Sequence, residues 1–110
     1  MADFTCTPRE TDEGVVLTVT GEVDLAVYET LVGQVQDWLK PSRQVFLDAS
    51  AVTFLDSMGL RALVQLQQLA ADKGAGFTLV APSDPVERVM ELSGTRQVFT
   101  ILDAPLPSPN

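Results

Sequence analysis

The sequence predicts an α/β domain: a small, mostly parallel sheet with an N-terminal hairpin strand, packed by helices. Three observations predict it. Strand-like apolar runs alternate with helix-like stripes along the chain. The runs around Val45 and Phe77 are continuously apolar, as in strands covered by helices. The chain has 110 residues, 45% of them apolar, which suits one such core and no more.

The elements come in order along the chain. Phe4 to Pro8 is a strand, Asp12-Glu13-Gly14 a turn, and Val15 to Thr20 a β-branched strand, together a hairpin. Gly21-Glu22-Val23-Asp24 ends that strand, and Asp24 can cap the next segment. Val27, Leu31, Val35 and Trp38 recur at spacings of four, four and three, a helical stripe stopped by Lys40-Pro41-Ser42. Gln44 to Asp48 is a short buried strand. Leu60, Leu63, Val64, Leu66, Leu69 and Ala70 mark a second helix, ending at Lys73-Gly74. Phe77 to Ala81 is a further strand. Asp84 then caps a third helix, with Pro85 at the first helical position and Glu87 placed for a capping box. Val86, Val89, Met90 and Ser93 share its face, and Gly94 closes it. Val98 to Leu102 is the last strand. The order is β-β-α-β-α-β-α-β, and strands separated by helices pair in parallel through right-handed crossovers.

Composition excludes several functions. The net charge is −8, and the seven Lys and Arg form no cluster. A nucleic-acid backbone or an anionic membrane surface needs a basic face, so neither is an expected partner. No apolar run reaches the roughly 18 residues of a membrane span. The start Met1-Ala2-Asp3-Phe4 has no basic segment or apolar h-region, so a cytoplasmic setting is expected. With one cysteine, Cys6, and no histidine, there is no disulfide framework, no zinc cluster and no Ser-His-Asp or Cys-His arrangement. No metal or cofactor is expected.

Two loops stand out at the carboxyl ends of strands, where such sheets meet ligands and partners. One is Gly21 to Leu25, the other Thr53 to Gly59. The second carries Phe54-Leu55-Asp56-Ser57-Met58-Gly59-Leu60 and leads straight into a helix. Ser57 therefore lies at or near a helix N-terminus, where N–H groups are unpaired and the dipole is positive. A serine there can cap the helix, act as a nucleophile or accept a phosphate. Asp56 is an alternative cap, which leaves the serine hydroxyl free. A nucleophilic role needs a base, and the missing histidine argues against an enzyme.

These residues resemble the anti-sigma factor antagonists, which are stand-alone STAS domains. Thr20-Gly21-Glu22-Val23-Asp24 is similar to the family's Gly-Glu-Leu-Asp turn. Val45-Phe46-Leu47-Asp48 with Asp56-Ser57-Met58-Gly59-Leu60 is similar to its strand and Asp-Ser-Ser-Gly segment. Lys73-Gly74, Leu79 to Ser83 and Val89 to Gly94 match later elements in order. The resemblance implies a STAS domain over residues 1–104 and a Pro-rich tail over 105–110, the latter expected to fray. It implies partner switching in transcription regulation under stress. The unphosphorylated domain binds an anti-sigma factor serine kinase, which itself binds ATP, and frees a sigma factor. Phosphorylation of Ser57 ends the contact and a serine phosphatase restores it. Glu22, Asp24, Leu25, Asp56, Ser57, Met58 and Gly59 are the implied partner-binding residues. The alternative is a non-switching STAS interaction subunit of an ABC-type lipid-transport complex. Two departures, Met58 for the motif's second serine and Arg61 for a small residue after Gly-Leu, bear on the choice of partner kinase.

Other residues read as structural. Asp48 stabilises the loop after its strand, Trp38 packs against the sheet, and Cys6 is a partly buried small apolar residue. Met58 is expected at the surface beside Ser57, as a specificity element.

Overall fold

A β-hairpin opens the sheet. In the computed structural model, which describes residues 3–106, strands Thr5–Thr11 (β1) and Gly14–Val23 (β2) run antiparallel. β2 does not end at Gly21 as its sequence implies. Gly21 takes φ 87, and a Cβ there would lie 2.1 Å from the Asp3 carbonyl oxygen. Glycine alone accepts both conditions, so the strand bends past Asp3 and continues to Val23.

The rest of the chain adds strand–helix units. A tight turn at Leu25–Val27 leads to helix Tyr28–Gln36 (α1) and strand Gln44–Leu55 (β3). Helix Ser57–Lys73 (α2) precedes strand Gly76–Val80 (β4). Helix Asp84–Ser93 (α3) precedes a second tight turn, Arg96–Val98, and strand Thr100–Leu102 (β5). Among the described residues the sheet has five strands in the order β1-β2-β3-β4-β5. β2 to β5 are parallel. Each crossover moves one strand in the same direction, so right-handed connections put the helices on one face.

Register rows show how the faces divide. Pro8, Leu17, Leu47, Leu79 and Ile101 are successive cross-strand partners, and the three leucines are at most 1% exposed. This row faces the helices, where Leu31, Val35, Leu66, Val86 and Met90 close the core at 0% exposure. The neighbouring row, Arg9, Val16, Phe46, Thr78 and Thr100, lies on the other face. Burying one such leucine is worth about 1.5–3 kcal/mol.

Further boundaries differ from the sequence reading. β3 runs to Leu55, so residues read as a turn from Thr53 onward are strand. From Thr18 to Thr20 is two steps on β2, while their partners Asp48 to Ala51 span three on β3; from Gly21 to Glu22 is one step, against two from Val52 to Phe54. These bulges break the alternation that marks a strand. Asp48 serves the first bulge: its Oδ1 accepts from the Ser50 N–H at 2.9 Å and the Ser50 hydroxyl at 2.7 Å. α1 is shorter than its stripe. Val27 belongs to the preceding turn, and Trp38 lies beyond the helix, where Trp38 and Leu39 N–H bond three residues back. Trp38 is half-buried, with the Arg43 guanidinium 5.4 Å from its ring centroid.

At α3 the cap is Ser83 rather than Asp84, and its side chain makes no capping bond. Glu87 does not reach back in a capping box; its Oε1 takes the Arg96 Nε–H at 3.0 Å. The last strand is split, because residues 96–98 form a turn before β5. α2 and α3 end ahead of Gly74 and Gly94 as their sequences predict. Of the Pro-rich tail expected at 105–110, residues 107–110 lie outside the described residues.

Candidate functional site

The candidate site is the carboxyl edge shared by β2 and β3. Val23 and Leu55 are register partners in these parallel strands. The next residues, Asp24 and Asp56, therefore leave the sheet side by side. The Asp56 N–H donates to the Val23 carbonyl at 3.4 Å, a long bond that closes the edge.

Each aspartate starts a helical segment. Asp24 is extended, and its Oδ1 accepts from the Ala26 N–H at 3.0 Å. Asp56 is also extended, and its Oδ1 accepts from the Gly59 N–H at 2.8 Å. The Asp56 carbonyl accepts from Leu60 N–H at 2.9 Å. One residue thus satisfies two of the donors that open α2. The N–H groups of Ser57 and Met58 are left without a partner among the described residues.

Ser57 takes the first helical position of α2 and is exposed. Because Asp56 is the cap, the Ser57 hydroxyl makes no hydrogen bond to any described residue. It stands at the positive end of a 17-residue helix, a place that suits an anion. Gly59, two residues on, is buried for a packing reason. A Cβ there would lie 2.3 Å from the Val23 carbonyl oxygen and 2.6 Å from Leu55 Cδ1. The first turn of α2 presses onto the end of β2 at this point.

The edge is acidic with apolar side chains set into it. Glu22 is half-buried and pairs in register with Phe54, which is 46% exposed. Leu25 is 66% exposed on the neighbouring turn. Met58 is half-buried rather than fully exposed: a helical side chain leans back over the turn before it. One turn into α2, Arg61 is exposed. It lines a groove of about 430 Å³ with Tyr28, Val64, Gln65 and Gln68. The Tyr28 hydroxyl donates to Gln65 Oε1 across the groove, tying α1 to α2.

Sequence reading singled out Glu22, Asp24, Leu25, Asp56, Ser57, Met58 and Gly59, gave Phe54 no role beyond its place in the loop, and gave no sign of the Tyr28–Gln65 wall. Phe54 was hidden by the bulge before it. Tyr28 adjoins the apolar stripe and carries no signal of a partner 37 residues away. Among the described residues no three His, Cys, Asp or Glu side chains converge as a metal site, and no helix is long and apolar enough to cross a membrane. Cys6 packs half-buried against the core, where burial pushes its thiol up to about 11.

A mostly parallel sheet with its helices on one face, and an aspartate-capped serine at its carboxyl edge, defines a small α/β domain with one chemically distinct edge. The chain belongs to the STAS domain family: the family model described as Mlab, STAS domain, matches residues 6–103. A Thermotoga maritima protein with the provisional description anti-sigma factor antagonist is 33% identical over 64 residues. That match covers 58% of this chain and 57% of that protein, little more than half the relative's length. A crystal structure from Thermotoga maritima with the same provisional description superposes with a TM-score of 0.77 at 26% identity, covering 90% of this chain and 86% of that one. An anti-sigma factor antagonist from Mycobacterium paratuberculosis gives 0.79 at 27% identity, over 91% and 86% of the two chains.

Proposed function

We propose that this chain is an anti-sigma factor antagonist that binds an anti-sigma factor serine kinase and is switched off by phosphorylation of Ser57. The descriptions of its relatives support the general role. One observation carries the switch. Asp56 caps α2, so Ser57 sits exposed at the helix start with its hydroxyl unengaged. The docking edge comprises Glu22, Asp24, Leu25, Asp56, Ser57 and Met58, with buried Gly59 setting how closely α2 meets it. The unphosphorylated edge takes the kinase, which brings its own ATP, and a sigma factor is freed. A phosphatase resets the cycle.

The energetics favour release over unfolding. Phosphoserine carries about −1.5 to −2 charges. The helix dipole offsets roughly 0.3–1 kcal/mol of the cost. Repulsion between unit charges about 6 Å apart is roughly 0.7 kcal/mol in water and about 3 kcal/mol at an effective dielectric near 20. A free surface tolerates the smaller figure, whereas a docked and dried edge meets the larger. About 1.4 kcal/mol is tenfold in affinity, so the modified form lets go while the domain stays folded. On this reading the edge works by docking, with the Asp24 and Asp56 carboxylates already engaged as caps.

A second reading fits the same STAS family match, a STAS interaction subunit that holds its partner whatever the state of Ser57. Paired pull-downs from the source cells, with wild type, Ser57→Ala and Ser57→Glu as baits, separate the two. The antagonist reading expects a kinase with the first two baits and not with the third. Equal capture of one partner by all three supports the subunit instead.

A further inference from the structure

We propose that Arg61 clamps the phosphate of phosphorylated Ser57 across the first turn of α2. The inference rests on the reading that Ser57 is the modified residue. Ser57 and Arg61 are four residues apart in one continuous helix, so they share a face as neighbours about 5–6 Å apart at Cβ. Both are exposed. Arg61 lines the groove with Tyr28 and Gln65, and because the Cα–Cβ bonds of a helix tilt toward its N-terminus, its long arm can swing back from there to reach the serine. An anion N-terminal to a cation at this spacing is the favoured polarity.

Arg61 is available for this. Arg43 pairs with Glu10 at 3.1 Å, and Arg96 with Glu87 and Asp103 at 3.0 and 2.7 Å. Arg61 forms no ion pair with any described residue. Tyr28 and Gln65, its companions in the groove, are bonded to each other. The acidic groups around Ser57 are Asp56 beside it and Asp24 and Glu22 at the neighbouring strand end. Asp56 and Asp24 each hold a backbone N–H. The guanidinium fork suits a phosphate bidentately, and the N–H groups of Ser57 and Met58 supply further donors from the opposite side. The unphosphorylated domain leaves Arg61 free; the modified one draws it back over its own helix start.

The test places phosphoserine at position 57 during translation, so no kinase is needed. Phosphorus NMR then tracks the phosphate through its second ionisation, which for free phosphoserine lies near about 6. The same measurement is made on Arg61→Gln and Arg61→Lys. The neighbouring carboxylates act on all three proteins alike, so the comparison isolates the arginine. The midpoint is expected to rise by roughly 0.3–1 pH unit in Arg61→Gln and by less in Arg61→Lys. The difference should shrink in 1 M salt, where screening acts within about 3 Å. Thermal melts of the unphosphorylated variants check that α2 is intact. Identical midpoints in wild type and Arg61→Gln would overturn the clamp and leave Ser57 phosphorylation standing. A separate mass measurement on protein from cells tests that modification; unmodified Ser57 there would overturn the switch and with it the clamp's role.

Discussion

Asp56 and Gly59 hold each other in place: the Asp56 carboxylate accepts the Gly59 N–H at 2.8 Å, and only a residue without a side chain fits where that N–H comes from. The pair fixes both the direction of α2 and its distance from β2. It also explains why the serine between them is free.

The cap is therefore expected to matter for folding. Asp56→Ala should destabilise the domain by about 1 kcal/mol, within about 0.5–2. In a domain of this size that lowers the melting temperature by roughly 4–8 °C. Asp56→Asn keeps an accepting oxygen and should lose much less. Calorimetry on the three proteins decides; an unchanged melt for the alanine variant removes the cap from the account.

Two glycines should respond oppositely to the same change. Gly33 lies in α1 with nothing within 4 Å of where a Cβ would stand, whereas Gly59 faces backbone at 2.3 Å. Gly33→Ala is expected to stabilise by about 0.5–1 kcal/mol through helix propensity. Gly59→Ala should destabilise by about 1–3 kcal/mol, because α2 must move off β2. Urea denaturation measures both, and a neutral Gly59→Ala would show that the first turn can shift freely.

Ser57 should be the sole site labelled when an anti-sigma kinase and ATP are supplied. Three competing serines are occupied or covered: the Ser50 hydroxyl donates to Asp48 at 2.7 Å, Ser93 Oγ to the Met90 carbonyl at 3.2 Å, and Ser83 Oγ is buried. Peptide mass spectra report the site. Label on any of those three instead would reassign the switch.

Asp24 should matter more for binding than for folding. Its cap serves a single tight turn, so Asp24→Ala should cost roughly 0.5–1 kcal/mol of stability. Loss of an edge contact should weaken kinase binding at least tenfold, and Asp24→Lys more. Binding calorimetry beside melts gives both quantities, and equal affinity for wild type and variant takes Asp24 off the docking edge.

Cys6 gives a pH-dependent expectation. Its thiol ordinarily ionises near 9.0, and burial raises it to about 11. Between these values the native state holds a proton that the unfolded chain has lost. Stability should therefore be full below pH 9 and fall as the pH climbs toward 11. Cys6→Ala should flatten that alkaline slope in denaturation measured from about pH 8 to about pH 11. Alkylation of native Cys6 at about pH 8 should also be slow, since little thiolate is present.

Much of this was legible in the chain because apolar period and end signals agree. Leu31 and Val35, Leu63 and Leu66, and Val86 and Met90 all fall on the faces their spacing requires. The order of elements and the parallel pairing come from the same pattern. The features that escaped are non-local. The far half of β3 reads as a turn because Asp48-Ala49-Ser50 is polar in sequence yet bulged against β2 in space. The start of α3 lies one residue earlier than its sequence suggests, with Ser83 at the cap and Glu87 bonded to Arg96 rather than to its own helix end. At the site, Asp56 and Ser57 were visible as types, but which of them capped α2 depended on Gly59 lying against Val23.

The strand order has a consequence for synthesis. With β1 to β5 side by side in chain order, every strand after the first has its neighbour already made when it leaves the ribosome. No strand must wait for a later one to insert beside it, and no early strand must be prised open to admit another. The hairpin supplies a template from local contacts, and each later unit docks onto the growing edge. Assembly can therefore proceed vectorially, with β5 closing a sheet that is otherwise complete.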